Sequence, residues 1–186
     1  MSLPIVVLLL LIVGGVLLYN RLVGARQRVR SAWADIDVQL KRRHDLVPNL
    51  VETVKGYASH EKGTLEAVIA ARNRAVAATG PAEAAEAENV LTGALRQLFA
   101  LAESYPQLRA VESFGRLQDS LEEIEAALQN ARRYYNAVVR DYNTSIERVP
   151  ANLVAGAFRF LPEEYFELAD EAERAVPKVQ FGEGGA

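Results

Sequence analysis

The sequence contains no cysteine, and this absence excludes several kinds of chemistry. Structural disulfides, thiol catalysis, thiolate metal sites and a lipoprotein anchor all need cysteine, so none of them is available to this chain. Only two histidines are present, His44 and His60, and they lie far apart in the sequence. Because one imidazole alone does not hold a transition metal, we expect no metal site within one chain and no cofactor.

Catalytic and nucleic-acid-binding motifs are also missing. His60-Glu61 begins like the zinc-protease motif His-Glu-x-x-His, but residue 64 is threonine, so the second ligand is missing. The glycines form no phosphate-binding loop, and there is no Gly-x-Ser-x-Gly nucleophile elbow. The formal net charge is -3, which leaves no polycationic surface for nucleic acid. The sequence therefore predicts a protein that is not an enzyme and binds no nucleic acid.

An uncharged apolar run near the N-terminus predicts a membrane anchor over residues 1–19. Residues 3–18 contain no charged side chain. At about 1.5 Å per residue the run covers about 24 Å, slightly less than a hydrocarbon core of about 30 Å. Tyr19 extends the run as an interfacial aromatic residue, and the long side chain of Arg21 can reach towards headgroups. A cleaved signal is disfavoured because no lysine or arginine precedes the run.

Arginines follow the apolar run, and no acidic residue precedes Asp35. The positive-inside rule then predicts a single-pass protein of the bacterial cytoplasmic (inner) membrane, with its N-terminus outside and the remainder in the cytoplasm. The alternative is a helical bundle on the outer side, delivered by a cleaved signal. Membrane lipids are predicted partners, and anionic headgroups would be attracted by about 1 kcal/mol per charge. The membrane-interface residues are Tyr19, Arg21, Arg26, Arg28 and Arg30.

Apolar residues repeat at alternating steps of four and three, which indicates helices with one narrow apolar stripe. Pro48 should kink the first helix or restart it with Asp45 as the cap. Shorter helices follow before Gly80-Pro81 and over residues 82–103, and a long one runs from Phe114 to Pro150. The prediction is an all-α fold, with an antiparallel up-down bundle over residues 20–149. The first stripe comprises Val29, Trp33, Ile36, Leu40, Arg43, Val47, Leu50, Val54 and Tyr57.

The C-terminal residues differ in character from the bundle. Residues 150–175 are too apolar for a free tail, so we expect them to pack on the bundle, a membrane or a partner. A short acidic helix is predicted over residues 163–174, and residues 176–186 are predicted to be a disordered tail. The candidate contacts with a partner or membrane are Phe158, Phe160, Tyr165 and Phe166.

Several residues are candidates for setting helix register or assembly. Arg43 lies in the apolar stripe, so we expect it to pair with an acid on a facing helix. Tyr135-Asn136 and Tyr142-Asn143 repeat seven residues apart and face one direction; they are either core tyrosines with hydroxyls at the bundle edge or part of a partner groove. The full set comprises Arg43, Pro48, Trp33, Tyr135, Asn136, Tyr142 and Asn143.

The chain resembles the LemA family of bacterial membrane proteins. The resemblance rests on ordered motifs that include Asp35-Ile36-Asp37-Val38-Gln39-Leu40, Asp45-Leu46-Val47-Pro48-Asn49-Leu50-Val51, Tyr135-Asn136 and Tyr142-Asn143. It implies one N-terminal transmembrane helix followed by a helical bundle. Members of the family are associated with membrane zinc metalloproteases and with organelle membranes of magnetotactic bacteria, and the resemblance brings no catalytic residues.

The expected function is that of a non-enzymatic, membrane-anchored scaffold. Long helices that leave the membrane side by side can associate laterally, so a homo-oligomer is predicted. The alternatives are an adaptor or substrate-presenting partner of a membrane zinc metalloprotease, or an envelope-facing bundle.

Overall fold

The structure, a computed structural model, describes residues 3–167, and in this part of the chain it contains helices and no strand. The predicted all-α class is confirmed. Residues 168–175 of the predicted C-terminal appendage and the predicted tail over residues 176–186 lie outside the described residues. The helices are α1 (Leu3–Lys55), α2 (Lys62–Ala77), α3 (Gly80–Glu103), α4 (Pro106–Arg109), α5 (Glu112–Glu147) and α6 (Ala151–Ala157).

Helix α1 joins the apolar run to the bundle without a break. It has 53 residues and is therefore about 80 Å long at 1.5 Å per residue. Its first residues are exposed, and from Leu22 onwards one face is buried. By length and composition the N-terminal part of α1 is a candidate membrane span. The candidate span and the first helix of the bundle are thus one continuous element.

The predicted restart at Pro48 is corrected, because α1 continues through it. Proline cannot donate to the carbonyl four residues earlier, which belongs to His44. In the structure the Nε of Arg72 on α2 donates to this carbonyl oxygen at 3.2 Å. Tertiary packing therefore supplies the missing hydrogen-bond donor. Helix α1 ends at Lys55, so Tyr57 of the predicted stripe lies in the following turn and is exposed.

Helix α5 packs antiparallel along α1 and covers its apolar stripe. The ring of Trp33 contacts that of Tyr135, and Arg43 contacts Glu125. Ten residues forward along α1 therefore correspond to ten residues backward along α5. Helices α2 and α3 form a second pair, α2 also packs on α1, and α6 packs on both α1 and α5. The stripe of α1 is therefore buried within a single chain.

The core consists of two hydrophobic clusters along the bundle. The cluster near the candidate span contains Leu22, Ile36, Leu40, Leu128 and Val139, among others. The distal cluster is built from α1, α2, α3, α4 and α5, and it includes Val47, Leu50, Leu91, Leu108 and Leu121. Between Leu40 and Val47 on α1, and between Leu121 and Leu128 on α5, the chain places charged side chains.

Candidate functional site

The side chain of Arg43 lies between the two hydrophobic clusters and is almost completely buried, with 1% of its surface exposed. Its Nη1 is 2.6 Å from Oε2 of Glu88 on α3, and its Nη2 is 2.7 Å from Oε1 of Glu125 on α5. Nη2 also donates to the hydroxyl of Thr92 at 2.9 Å. One guanidinium on α1 therefore binds two carboxylates on two other helices.

Glu88 is the second fully buried charge of this site, and both of its carboxylate oxygens are engaged. Its Oε2 binds Arg43, and its Oε1 lies 2.5 Å from Nε2 of His44. Arg72 then connects α2 to the same level through the carbonyl oxygen of His44. We call this set the polar layer; it comprises Arg43, His44, Arg72, Glu88, Thr92 and Glu125.

The polar layer can set the axial register of the bundle. If α1 shifted by one turn relative to α3, Arg43 would enter an apolar cluster and Glu88 would lose its cation. An unpaired buried charge costs several kcal/mol, about 3–5 when one partner is removed. The pairing expected for Arg43 is present in the structure, while its effect on register stays a prediction.

Glu125 is the member of the layer with the clearest electrostatic perturbation. Burial is the main cause that raises the pKa of Glu125 above its ordinary 4.5. The positive charge of Arg43 lowers this pKa, and the negative charge of Glu88 raises it. The folded protein therefore holds a proton on Glu125 more tightly than the unfolded chain does.

This shift predicts a pH dependence of stability. A group whose pKa is higher in the folded protein than in the unfolded chain adds to the free energy of unfolding at low pH. This stabilisation is fully present below the pKa of the unfolded chain and is lost as pH rises through the pKa of the folded protein. We therefore expect the free energy of unfolding of Glu125→Gln to fall less than that of the wild type as pH rises from 4.5. Denaturation curves across this range measure it. Glu122→Gln, at an exposed position of α5, should keep the wild-type slope. Parallel curves for Glu125→Gln and wild type would contradict the assignment.

A second polar arrangement lies near the candidate span, where α5 binds an extended C-terminal segment, residues 160–167. We call this segment the strap. The amide of Asn143 donates to the carbonyl of Glu163 at 2.9 Å and accepts from its N–H at 2.9 Å. Asn136 makes the same two bonds with Phe166, each at 3.0 Å. Each asparagine thus pairs with the main chain of one strap residue.

The tyrosines of the two repeats also bind strap carbonyls. Tyr135 donates its hydroxyl to Glu164 at 2.7 Å, and Tyr142 donates to Leu161 at 2.9 Å. The spacing fits, since seven helical residues rise about 10.5 Å and three extended residues span about 10 Å. Burial chiefly, with the charges of Glu163 and then Glu164, raises the pKa of Tyr135 to about 12. The hydroxyl therefore stays protonated as a donor.

The strap corrects the predicted acidic helix over residues 163–174 as far as the described residues extend. Residues 160–167 are not helical, because side-chain amides of α5 satisfy their backbone groups. A chain held by these bonds cannot also form the bonds of a helix. The remaining residues of that prediction lie beyond residue 167, outside the described range.

Aromatic side chains anchor the strap. Phe166 is completely buried and its ring lies 5.6 Å from that of Trp33; Phe160 is buried beneath the guanidinium of Arg26, 4.8 Å away. Of the alternatives predicted for residues 150–175, Phe160 and Phe166 follow packing on the bundle, and their candidacy as contacts with a membrane or partner is corrected, because both are buried. Phe158 and Tyr165, the other two candidates, are exposed.

The predicted membrane-interface residues follow the apolar run on α1. Arg21, Arg28 and Arg30 are exposed, and Arg26 is half-buried against Phe160. The ring of Tyr19 lies 4.8 Å from that of Phe158. Their contact with lipid stays a prediction.

Glu88, Thr92 and Glu125 were not singled out from the sequence as partners of Arg43. Arg72 was also not identified as the donor to the carbonyl of His44. A signal was present for Glu88: the helical steps through Leu95 and Leu91 lead back to it, so α3 also carries a charge in its apolar stripe. Within residues 3–167, no group of three or more His, Cys, Asp or Glu side chains is placed to hold a metal ion. Arg43, His44, Glu88 and Glu125 are engaged with one another, and Arg72 binds the carbonyl oxygen of His44.

The continuous α1 helix, its apolar N-terminal part and the all-α bundle define a membrane-associated helical protein. The sequence model of the LemA family matches residues 32–181, and the chain belongs to the LemA family.

Curated relatives are similar along most of the chain. Magnetosome protein MamQ 2 of Paramagnetospirillum magneticum is 26% identical over 175 residues, covering 80% of this chain and 64% of that protein. Magnetosome protein MamQ of Magnetospirillum gryphiswaldense is 24% identical over 174 residues, with the same coverage. Protein LemA of Metamycoplasma hominis is 25% identical over 159 residues, covering 83% of this chain and 71% of that protein. The chain thus spans less than two thirds of the length of the MamQ relatives.

Proposed function

We propose that this protein is a non-enzymatic scaffold anchored in the bacterial cytoplasmic membrane, with its N-terminus outside and its bundle in the cytoplasm. The observation that carries the proposal is the continuity of α1 from Leu3 to Lys55. A bundle that shares a helix with its anchor keeps a fixed distance and angle to its own membrane span, which a flexible linker would not provide. Arginines at the inner end of the apolar run support this orientation.

The polar layer supports a structural role for the bundle. It joins α1, α2, α3 and α5 at one level, where Arg43 pairs with Glu88 and Glu125, and Arg72 binds the backbone of α1. Such a layer favours one axial register of the helices over others, so the bundle presents one defined surface for assembly. Arg43, His44 and Glu88 are buried in this arrangement and are therefore not exposed to a substrate.

Lateral association is the finer part of the proposal. Because α5, α2 and α6 pack on α1 and bury its stripe, association between copies must use outward-facing side chains. The large apolar residues exposed on the bundle include Val38 on α1, Val90 on α3 and Tyr134 on α5. Because every copy is anchored in the same membrane, each of these residues lies at the same height above the bilayer in neighbouring copies. Anchoring also raises the effective concentration of the bundles for one another.

The oligomeric state in mild detergent tests this proposal. Size-exclusion chromatography with light scattering of the full chain should show a homogeneous homo-oligomer of many copies. The matched variant Val38→Asp/Tyr134→Asp should give smaller particles with unchanged helix content, because both substitutions are at exposed positions. A particle holding a single wild-type chain would contradict the scaffold.

An adaptor function is the second candidate, and one surface favours it. An open apolar groove with a volume of about 720 Å³ lies between α1 and α2, at the end of the bundle away from the span. Val51, Leu65 and Ile69 line it, with Lys55 and Glu66 at its polar side. A small wild-type particle that binds another membrane protein, such as a zinc metalloprotease, would favour this adaptor over the scaffold.

A further inference from the structure

Four large apolar side chains are exposed close together in sequence, from just after α5 to the first residues of the strap. Val149, Leu153, Phe158 and Leu161 are between 61% and 79% exposed. Helix α6 carries Leu153, and the other three flank it on both sides. We call these residues the α6 patch. Exposed apolar side chains grouped in this way are typical of contact surfaces rather than of solvated surface.

The α6 patch lies at the level where the apolar run of α1 ends. The ring of Phe158 is 4.8 Å from the ring of Tyr19, the first aromatic residue after the run. A small cavity of about 150 Å³ brings Leu18 and Arg21 of α1 together with Arg148 and Val149. If residues 3–18 cross the hydrocarbon core, the patch is therefore at the depth of the lipid headgroups.

The charges around the patch match an anionic bilayer surface. Arg21 and Arg148 line the same cavity, and both residues are exposed. Apolar side chains that enter the acyl boundary beside cations at the headgroup level are the usual composition of an interfacial membrane contact. A protein partner would have to approach this surface within the headgroup layer, so the bilayer is the occupant that the position favours.

We propose that the α6 patch inserts into the headgroup region of an anionic bilayer and forms a second membrane contact beside the transmembrane span. This inference rests on the proposed membrane anchorage of α1. Two contacts on one rigid unit fix its tilt relative to the bilayer, because a single transmembrane helix can tilt in the membrane and carry the bundle with it. The strap, held by Asn136 and Asn143, keeps α6 in place.

Depth-dependent fluorescence quenching in proteoliposomes tests the inference on the full chain. The native chain has no cysteine, so one environment-sensitive dye can be attached at a single introduced cysteine. The sites are Leu153→Cys in the patch, Val38→Cys on the exposed face of the bundle and Leu10→Cys in the span. Vesicles of phosphatidylcholine and phosphatidylglycerol carry nitroxides either at the headgroup or deep in the acyl chains.

We expect headgroup nitroxides to quench the dye at residue 153 several-fold more than the dye at residue 38. Deep nitroxides should quench the dye at residue 10 most strongly. If the dye at residue 10 is quenched and the dye at residue 153 behaves like that at residue 38, the patch inference fails while the span stands. If the dye at residue 10 is not quenched, the proposed anchorage itself fails. Equal strong quenching at residues 38 and 153 also overturns the inference, because the whole bundle would then lie on the bilayer.

Discussion

Arg43→Ala should lower the free energy of unfolding by about 3–5 kcal/mol, the cost of breaking a buried ion pair from one side. The substitution leaves the Glu88 carboxylate buried, with 1% of its surface exposed, and removes the cation that holds Glu125. The loss also includes the contact between α1 and α5 at this level. Chemical denaturation of the full chain in mild detergent measures it, and Trp33, the single tryptophan, is the reporter.

The neighbouring arginine provides the matched control. Arg42 is exposed and its guanidinium donates to Gln39, on the same helix, at 3.2 Å, so Arg42→Ala should change stability by less than about 0.5 kcal/mol. The double variant Arg43→Met/Glu88→Gln should recover most of the loss, because it removes both buried charges and keeps a partner for His44. If Arg43→Ala is as stable as Arg42→Ala, the polar layer does not stabilise the bundle.

Phe166→Ala should release the strap. Phe166 is fully buried against Trp33, and truncating a buried phenylalanine costs about 3–5 kcal/mol. The strap is held by side-chain hydrogen bonds and aromatic contacts rather than by a helix of its own, so we expect local detachment before global unfolding. A tenfold change in an equilibrium constant corresponds to about 1.4 kcal/mol, so the equilibrium constant for opening of the strap should increase by about 100-fold or more. Hydrogen exchange of the Glu163 and Phe166 amides measures this opening, and Trp33 emission should shift to the red.

Tyr165→Ala is the control for strap release. Tyr165 is 40% exposed and adjacent to Phe166, so its truncation should leave amide exchange nearly unchanged. Should Phe166→Ala exchange no faster than Tyr165→Ala, the strap would be held by something other than its aromatic anchor and the asparagine pairs.

The positions of the long helices could be predicted from the sequence, because the spacing of apolar residues by four and three depends only on residues that are close together in the chain. The stripe from Val29 to Val54 lies on α1, and the predicted long last helix corresponds to α5. The two failures depended on distant residues. Pro48 stays inside α1 because Arg72, on another helix, supplies a donor to His44. The strap is extended because Asn136 and Asn143 bind its backbone.

The polar layer and the binding of the strap were predictable only in part, because they too depend on residues that are distant in the sequence. Arg43 was conspicuous as a charge in an apolar stripe, but its acids lie 45 and 82 positions further along the chain, at Glu88 and Glu125. The repeat of Tyr135-Asn136 and Tyr142-Asn143 indicated a shared face. The sequence does not reveal that this face binds the main chain of the same protein. The hydrogen bonds go to backbone groups, which are nearly the same in every segment of a chain, so only the fold identifies the segment that is bound.

Cross-linking in intact membranes tests the proposed scaffold most directly. Single cysteines at Val38, Val90 or Tyr134 are exposed on the bundle, whereas Leu40→Cys is buried on the same helix as Val38 and serves as the control. A bismaleimide reagent added to membranes at native expression level should give covalent dimers from at least one exposed position and none from Leu40→Cys. Monomers from all three exposed positions would contradict lateral assembly and leave a solitary membrane-anchored bundle.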